Sequence, residues 1–85
     1  MGIHTHNFVE TYTGPVAFGF DRPTDESTVI YYLQKFSDDA VMKQVIPNAS
    51  DSDLEDIFNL ITRMLRKNLS EPEYHRLFLK DNDPQ

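Results

Sequence analysis

The longest helical pattern of this chain lies at residues 50–69, which read SDSDLEDIFNLITRMLRKNL. Apolar residues recur there every three or four positions over four turns, which is the spacing of one face of an α-helix. They are Leu54, Ile57, Phe58, Ile61, Leu65 and Leu69. Ser50 or Ser52 can cap the start, and the acids near the start and bases near the end suit the helix dipole. The pattern predicts a helix over residues 51–68.

Three shorter helical patterns surround this one. Residues 25–36 carry an apolar stripe behind a cap at Thr24 or Asp25. Residues 38–46 form a short amphipathic pattern that stops before a proline, which cannot continue a helix. Residues 71–80 follow a Ser-Glu-Pro-Glu capping-box pattern and carry a short apolar face. We therefore expect a helix in each of these three ranges.

The aromatic segment at residues 8–20 has two interpretations. It alternates at first, becomes apolar and aromatic later, and has Gly14-Pro15 in between, which suits the turn of a β-hairpin. Alternatively, it is an extended arm that lays its rings on the helices. The sequence thus predicts a mainly α fold, a compact bundle of about four short helices with an N-terminal β-hairpin or extended aromatic arm. The class becomes α+β if the hairpin forms.

The length of 85 residues gives room for one hydrophobic core. We expect a single globular domain over residues 8–80, with flexible tails at residues 1–7 and 81–85. The chain has no cysteine, which excludes disulfides, thiolate metal sites and a cysteine nucleophile. We expect no signal peptide and no membrane span, because the longest apolar runs are far too short. These features favour a cytoplasmic protein.

The net charge of −6 disfavours nucleic acid as the partner, since an acidic chain repels phosphate backbones. The charge is uneven, because five of the eight basic residues lie after position 60. Two arrangements fit this distribution: an acidic body that binds a basic partner, or a basic patch on the last two helices.

The N-terminus offers one metal-binding pattern. If Met1 is removed, the chain begins Gly2-Ile3-His4, and a free amine, two backbone amides and an imidazole can surround Cu(II) or Ni(II) in a plane. His6 can add a further ligand. The other interpretation is a flexible tail that carries two histidines incidentally. We assign no metal site and no cofactor on this pattern.

Catalytic constellations are missing from the sequence. His75 has no orienting partner that the sequence shows. Most of the serines and the paired acids stand at predicted helix starts, where capping explains them. The three glycines are too scattered to hold a phosphate. We therefore expect a protein that is not an enzyme.

Two surfaces remain as candidates for binding. Phe18 and Phe20 fall on one side of an extended segment, where they belong to the core or, if exposed, anchor a partner. The basic residues of the last two helices form a solvated face or hold an acidic peptide or phosphate. The candidate partner-binding residues are Tyr12, Phe18, Phe20, Arg63, Arg66 and Arg76.

The favoured function is that of a small acidic protein–protein interaction module, of the adaptor or inhibitor type. Its partner is unidentified, and the charge of the chain suggests a basic one. One alternative is a small nucleic-acid or regulatory binder that uses the basic side of the last two helices. Another is the Cu(II)- or Ni(II)-binding N-terminus at His4 and His6. The sequence leaves the oligomeric state open.

Overall fold

The computed structural model describes residues 4–81, and 72% of the structure is helical. Over the described residues there is no strand, which confirms a mainly α fold. The helices are α1 (Phe8–Thr11), α2 (Arg22–Phe36), α3 (Asp39–Val45), a 3-10 turn (Ile46–Asn48), α4 (Asp51–Asn68), α5 (Glu71–Glu73) and a π-helix (Tyr74–Leu79).

The chain divides into two compact units. The first runs from Thr5 to Asn48 and contains α1, α2, α3 and the 3-10 turn. The second begins at Ala49 and contains α4, α5 and the π-helix. In the first unit, α2 packs against both α1 and α3. The single domain over residues 8–80 and the compact bundle stay predictions.

Helix α2 starts three residues before its predicted range. Asp21 is extended and caps the helix, with its Oδ1 atom accepting the Thr24 N–H at 2.8 Å. The backbone and hydroxyl hydrogen bonds from Thr24 hold the pKa of Asp21 below its ordinary value. Pro23 falls in the first turn, where a missing N–H costs nothing. The prediction that Thr24 or Asp25 caps this helix is therefore wrong.

The predicted N-terminal β-hairpin is not formed, because residues Phe8–Thr11 are helical. Some backbone groups of this segment are bonded to side chains of α2. The Val9 N–H donates to Gln34 Oε1 at 2.9 Å. The Thr28 hydroxyl accepts the Ala17 N–H at 3.0 Å and donates to the Ala17 carbonyl at 2.9 Å. The segment is thus fastened to α2, but the extended arm of the second interpretation is not observed either, because Phe8–Thr11 is helical and the rings of Phe18 and Phe20 are exposed.

Helices α4 and α5 both begin with a complete capping box. The Ser50 hydroxyl accepts the Asp53 N–H at 3.0 Å, and Asp53 Oδ2 accepts the Ser50 N–H at 3.2 Å. Ser70 and Glu73 repeat the arrangement at 3.3 and 2.8 Å. These bonds satisfy N–H groups that a helix start otherwise leaves unpaired. Helix α4 covers the range 51–68 that its apolar spacing predicts.

Candidate functional site: exposed aromatic and apolar surfaces

Apolar burial is incomplete along the described chain. None of the apolar residues at 4–81 is fully buried, and Thr28, with 5% of its surface exposed, is the one buried residue there. A monomeric soluble protein rarely leaves large contiguous apolar patches open to water. The exposed apolar groups are therefore the first candidates for binding surfaces.

Phe18 and Phe20 are exposed over 73% and 79% of their surface, so the interpretation of these rings as core residues is wrong. Asp25 holds the loop that carries them. Its Oδ1 atom accepts the N–H of Gly19 at 2.7 Å and the N–H of Phe20 at 3.4 Å. Gly19 has a φ of 90°, a backbone conformation that residues other than glycine rarely adopt. The loop is thus fixed by its backbone while both rings face solvent.

Tyr12, the third aromatic candidate, is half-buried within the first unit. Its ring stacks on Phe8 at 4.9 Å between centroids and meets Tyr31 at 5.8 Å. Its hydroxyl donates to the Pro15 carbonyl at 2.6 Å. A Cβ atom at Gly14 would come within 2.6 Å of the Tyr12 hydroxyl oxygen, so glycine permits this packing. These contacts give Tyr12 a structural role, and its role in partner binding stays a prediction.

Helix α4 presents an apolar face that consists of Leu54, Ile57, Phe58, Ile61, Met64 and Leu65. Five of these six side chains are exposed, and Leu65 is half-buried. Phe58 exposes 69% of its surface. The periodicity in the sequence predicts five of these six residues, with Leu69 in place of Met64, but it does not indicate how exposed their side chains are.

A groove of about 610 Å³ lies between the second half of α4 and the start of α5. Its lining combines apolar rings with one base and one acid. It is formed by Phe58, Thr62, Leu65, Arg66, Leu69, Ser70, Glu71 and Tyr74. The groove therefore has both Arg66 and Tyr74 in its lining.

The basic candidates separate into two locations. Arg63 and Arg66 line one open hollow on α4, together with Asn59, Thr62 and Lys67. Arg76 is exposed on the π-helix and lines neither this hollow nor the groove. The structure thus joins Arg63 with Arg66 but does not add Arg76 to them.

His75 has two acidic neighbours that sequence reasoning missed. Its Nδ1 atom lies 2.8 Å from Asp81 Oδ2, and its Nε2 atom lies 3.9 Å from Glu71 Oε2. Glu71 is four residues earlier on the helical segment, so helical spacing could have indicated it. Asp81 follows Lys80, whose left-handed φ of 53° turns the chain back. The pattern of apolar residues in the sequence does not predict this turn.

The N-terminal metal pattern is only partly described by the structure, because Gly2 and Ile3 lie outside residues 4–81. His4 and His6 are exposed, and His6 Nε2 lies 3.0 Å from the Ser37 hydroxyl. Within the described part of the chain, no three His, Cys, Asp or Glu side chains are grouped to hold a metal ion.

Comparisons with protein-family models, with curated proteins and with solved structures find no match to this chain. Over residues 4–81, the helices are too short or too polar to cross a membrane.

Proposed function

We propose that this chain is a non-enzymatic protein–protein interaction module of the adaptor or inhibitor type, with Phe18 and Phe20 as its anchors. The observation that carries the proposal is the exposure of both rings on a loop that Asp25 holds in place. Large aromatic side chains contribute much of the binding energy at protein interfaces. A loop fixed before binding loses little conformational entropy when the partner arrives.

Acidic residues follow the aromatic loop closely in the sequence, since Asp21, Asp25 and Glu26 all lie at the start of α2. Arg22 is paired with Glu26 at 2.6 Å, which offsets its positive charge. We therefore propose a partner with an apolar pocket and a basic rim, in keeping with the net charge of −6. The absence of cysteine supports a reducing compartment such as the cytoplasm.

A pull-down from native lysate tests the proposal with wild-type chain and the Phe18→Ser/Phe20→Ser double variant. We expect wild-type chain to recover a stoichiometric partner in a salt-sensitive manner, and the double variant to lose it. Phe58→Ser is the matched control, because it removes an exposed phenyl ring elsewhere. Circular dichroism checks that all three chains are equally helical. Equal recovery by the double variant, or no stoichiometric partner for wild-type chain, would refute the proposal.

The basic hollow on α4 supports a second candidate, a small nucleic-acid or regulatory binder. Arg63, Arg66 and Lys67 offer three positive charges on one exposed surface. Fluorescence anisotropy with random duplex and single strands tests it at about 50 mM salt, where phosphate contacts are strong. Binding that Arg63→Ala/Arg66→Ala weakens, and that Arg22→Ala leaves intact, would favour this candidate. Absence of binding at low salt would exclude it.

A further inference from the structure

The groove and the basic hollow of the second unit lie next to each other on α4. Thr62 and Arg66 line both of them. Helical spacing explains this, because the two sets of residues form adjacent stripes along one helix. On α4 the groove is lined by Phe58, Thr62, Leu65, Arg66 and Leu69, and the hollow by Asn59, Thr62, Arg63, Arg66 and Lys67. One bound molecule can therefore contact apolar side chains and several bases at once.

The bases of the hollow have no acidic partner in the described part of the chain. Arg63, Arg66 and Lys67 form no ion pair and no side-chain hydrogen bond within residues 4–81. The acids of α4 lie at positions 51–56, so the nearest of them precedes Arg63 by seven residues, about 10 Å along the helix axis. Three unpaired bases close together in a chain of net charge −6 favour the binding of an anion there.

The helix dipole explains only part of this basic cluster. Arg66 and Lys67 lie in the last turn of α4, where positive side chains stabilise a helix. Arg63 lies one turn earlier, three and four residues from the other two bases, and like charges at that spacing repel each other. This repulsion does not stabilise the folded helix, whereas an anion bound among the three bases would relieve it.

The size and lining of the groove indicate the rest of the ligand. Its volume of about 610 Å³ lies within the range of sites that hold small molecules, roughly 300–1,000 Å³. Such sites combine apolar walls with a few polar groups that orient the ligand. Arg66, which the groove shares with the hollow, can hold a carboxylate through two parallel N–H bonds. A ligand that uses both surfaces therefore has an apolar part and an anionic group.

We propose that the second unit binds a small dissolved amphipathic anion, with its apolar part in the groove and its carboxylate on the basic hollow. Arg66 binds the carboxylate, with Arg63 and Lys67 beside it, and the ring of Phe58 contacts the apolar part. This site is separate from the Phe18–Phe20 loop of the proposed function, so each proposal can fail alone. It shares its bases with the nucleic-acid candidate, and competition between the two ligands distinguishes them.

Titration with octanoate, an anion with an alkyl chain, tests the site by NMR of the isotope-labelled chain. The amide signals of Thr62, Arg66 and Leu69 should shift and saturate, while those of Phe18 and Phe20 should not move. Octan-1-ol keeps the alkyl chain and lacks the charge, and butanoate keeps the charge on a shorter chain. Each should bind about tenfold more weakly than octanoate, because each loses one of the two contributions.

Two pairs of variants locate the ligand. Arg66→Gln should weaken octanoate binding about tenfold, because the charged hydrogen bonds are lost. Arg76→Gln removes an exposed base that lines neither the groove nor the hollow, and it should leave binding unchanged. Phe58→Ser should also weaken binding, whereas Phe20→Ser, which removes a more exposed ring from the first unit, should not. Circular dichroism checks that all four variants keep their helices.

Several results would overturn the amphipathic-anion proposal. The first is the absence of saturable shifts with octanoate, or shifts over both units that never saturate, as nonspecific binding to exposed apolar side chains would give. Equal binding of octanoate and octan-1-ol, or equal effects of Arg66→Gln and Arg76→Gln, would show that the bases do not hold the ligand. Nucleic-acid strands that bind at low salt and that octanoate does not displace would assign the hollow to nucleic acid. Saturable octanoate binding by a chain that recovers no lysate partner would refute the proposed function alone.

Discussion

The two units of this chain are held by different kinds of contact. In the first unit, side chains of α2 bond backbone groups that precede them by 5 to 25 residues, as Asp25, Thr28 and Gln34 do. In the second unit, the capping bonds at Ser50 and Ser70 reach only three residues along the chain. Single side chains of α2 therefore hold residues 8–20 in place, whereas α4 is stabilised by residues within or next to the helix itself.

The largest loss of stability is expected from a proline within α4, and it tests whether the two units form independently. Thr62→Pro removes a backbone hydrogen bond and clashes with the preceding turn, at a cost of about 3 kcal/mol. We expect far-UV circular dichroism to lose the α4 contribution and amide exchange to accelerate over residues 51–68. The Ala17 N–H, which donates a hydrogen bond to the Thr28 hydroxyl, should stay protected from exchange.

Thr62→Ala is the control, because alanine favours the helix and leaves its hydrogen bonds intact. Simultaneous loss of protection at Ala17 and in α4 after Thr62→Pro would show that the two units unfold together. The two units would then not differ in how independently their structure forms.

The second-largest loss of stability is expected from Thr28→Val, which keeps the shape of the side chain and removes its hydroxyl. The variant leaves the N–H and carbonyl of Ala17 without their partner, at a cost of about 1–3 kcal/mol. Urea unfolding should show the loss, and exchange of the Ala17 amide should accelerate. Thr28→Ser keeps the hydroxyl and should retain most of that protection. Equal protection in the valine and serine variants would contradict this role.

Sequence reasoning succeeded where the determinants are local. The predicted and observed ranges of α4 agree because the cap, the apolar spacing and the charges at both ends lie within the helix itself. The start of α2 was missed because Asp21, Thr24 and Asp25 are all good caps. Asp21 caps the helix, while Asp25 bonds the aromatic loop instead.

Sequence reasoning failed where the determinants are distant. The alternation at residues 8–20 suits a strand, yet its backbone groups bond Thr28 and Gln34, which no local pattern indicates. The exposure of Phe18 and Phe20 has the same origin, because Asp25 fixes the loop that carries them. The exposure of the apolar face of α4 could not be predicted either, since the spacing of apolar residues identifies a face and not the exposure of its side chains.

A smaller effect is expected at the start of α4. Ser50→Ala removes the hydroxyl that accepts the Asp53 N–H and should cost about 1 kcal/mol. Ser52→Ala is the matched control, because Ser52 lies in the first turn and takes no part in the capping box. Urea unfolding followed by circular dichroism measures both. Equal destabilisation by the two substitutions would mean that the capping box contributes nothing specific to α4.

The smallest effect is a dependence of stability on pH, to which each unit contributes through a carboxylate at the start of a helix. Hydrogen bonds from Thr24 hold the pKa of Asp21 below its ordinary value of 3.8, and hydrogen bonds from Ser70 hold the pKa of Glu73 below its ordinary value of 4.5. The unfolded chain therefore takes up protons at a higher pH than the folded chain does. The stabilisation by each carboxylate is complete above its ordinary pKa and is lost as pH falls through the lower, folded value.

Urea midpoints measured from neutral pH down through the acid range test this expectation. Asp21→Asn and Glu73→Gln should each flatten the decline at acid pH, because each removes one titrating carboxyl group. The first should flatten it for probes in α2 and the second for probes in α5, if the two units respond separately. Asp56→Asn controls for the loss of one negative charge, since Asp56 caps neither helix. A decline as steep in both capping variants as in wild-type chain would place the acid sensitivity at other groups and remove this last distinction between the units.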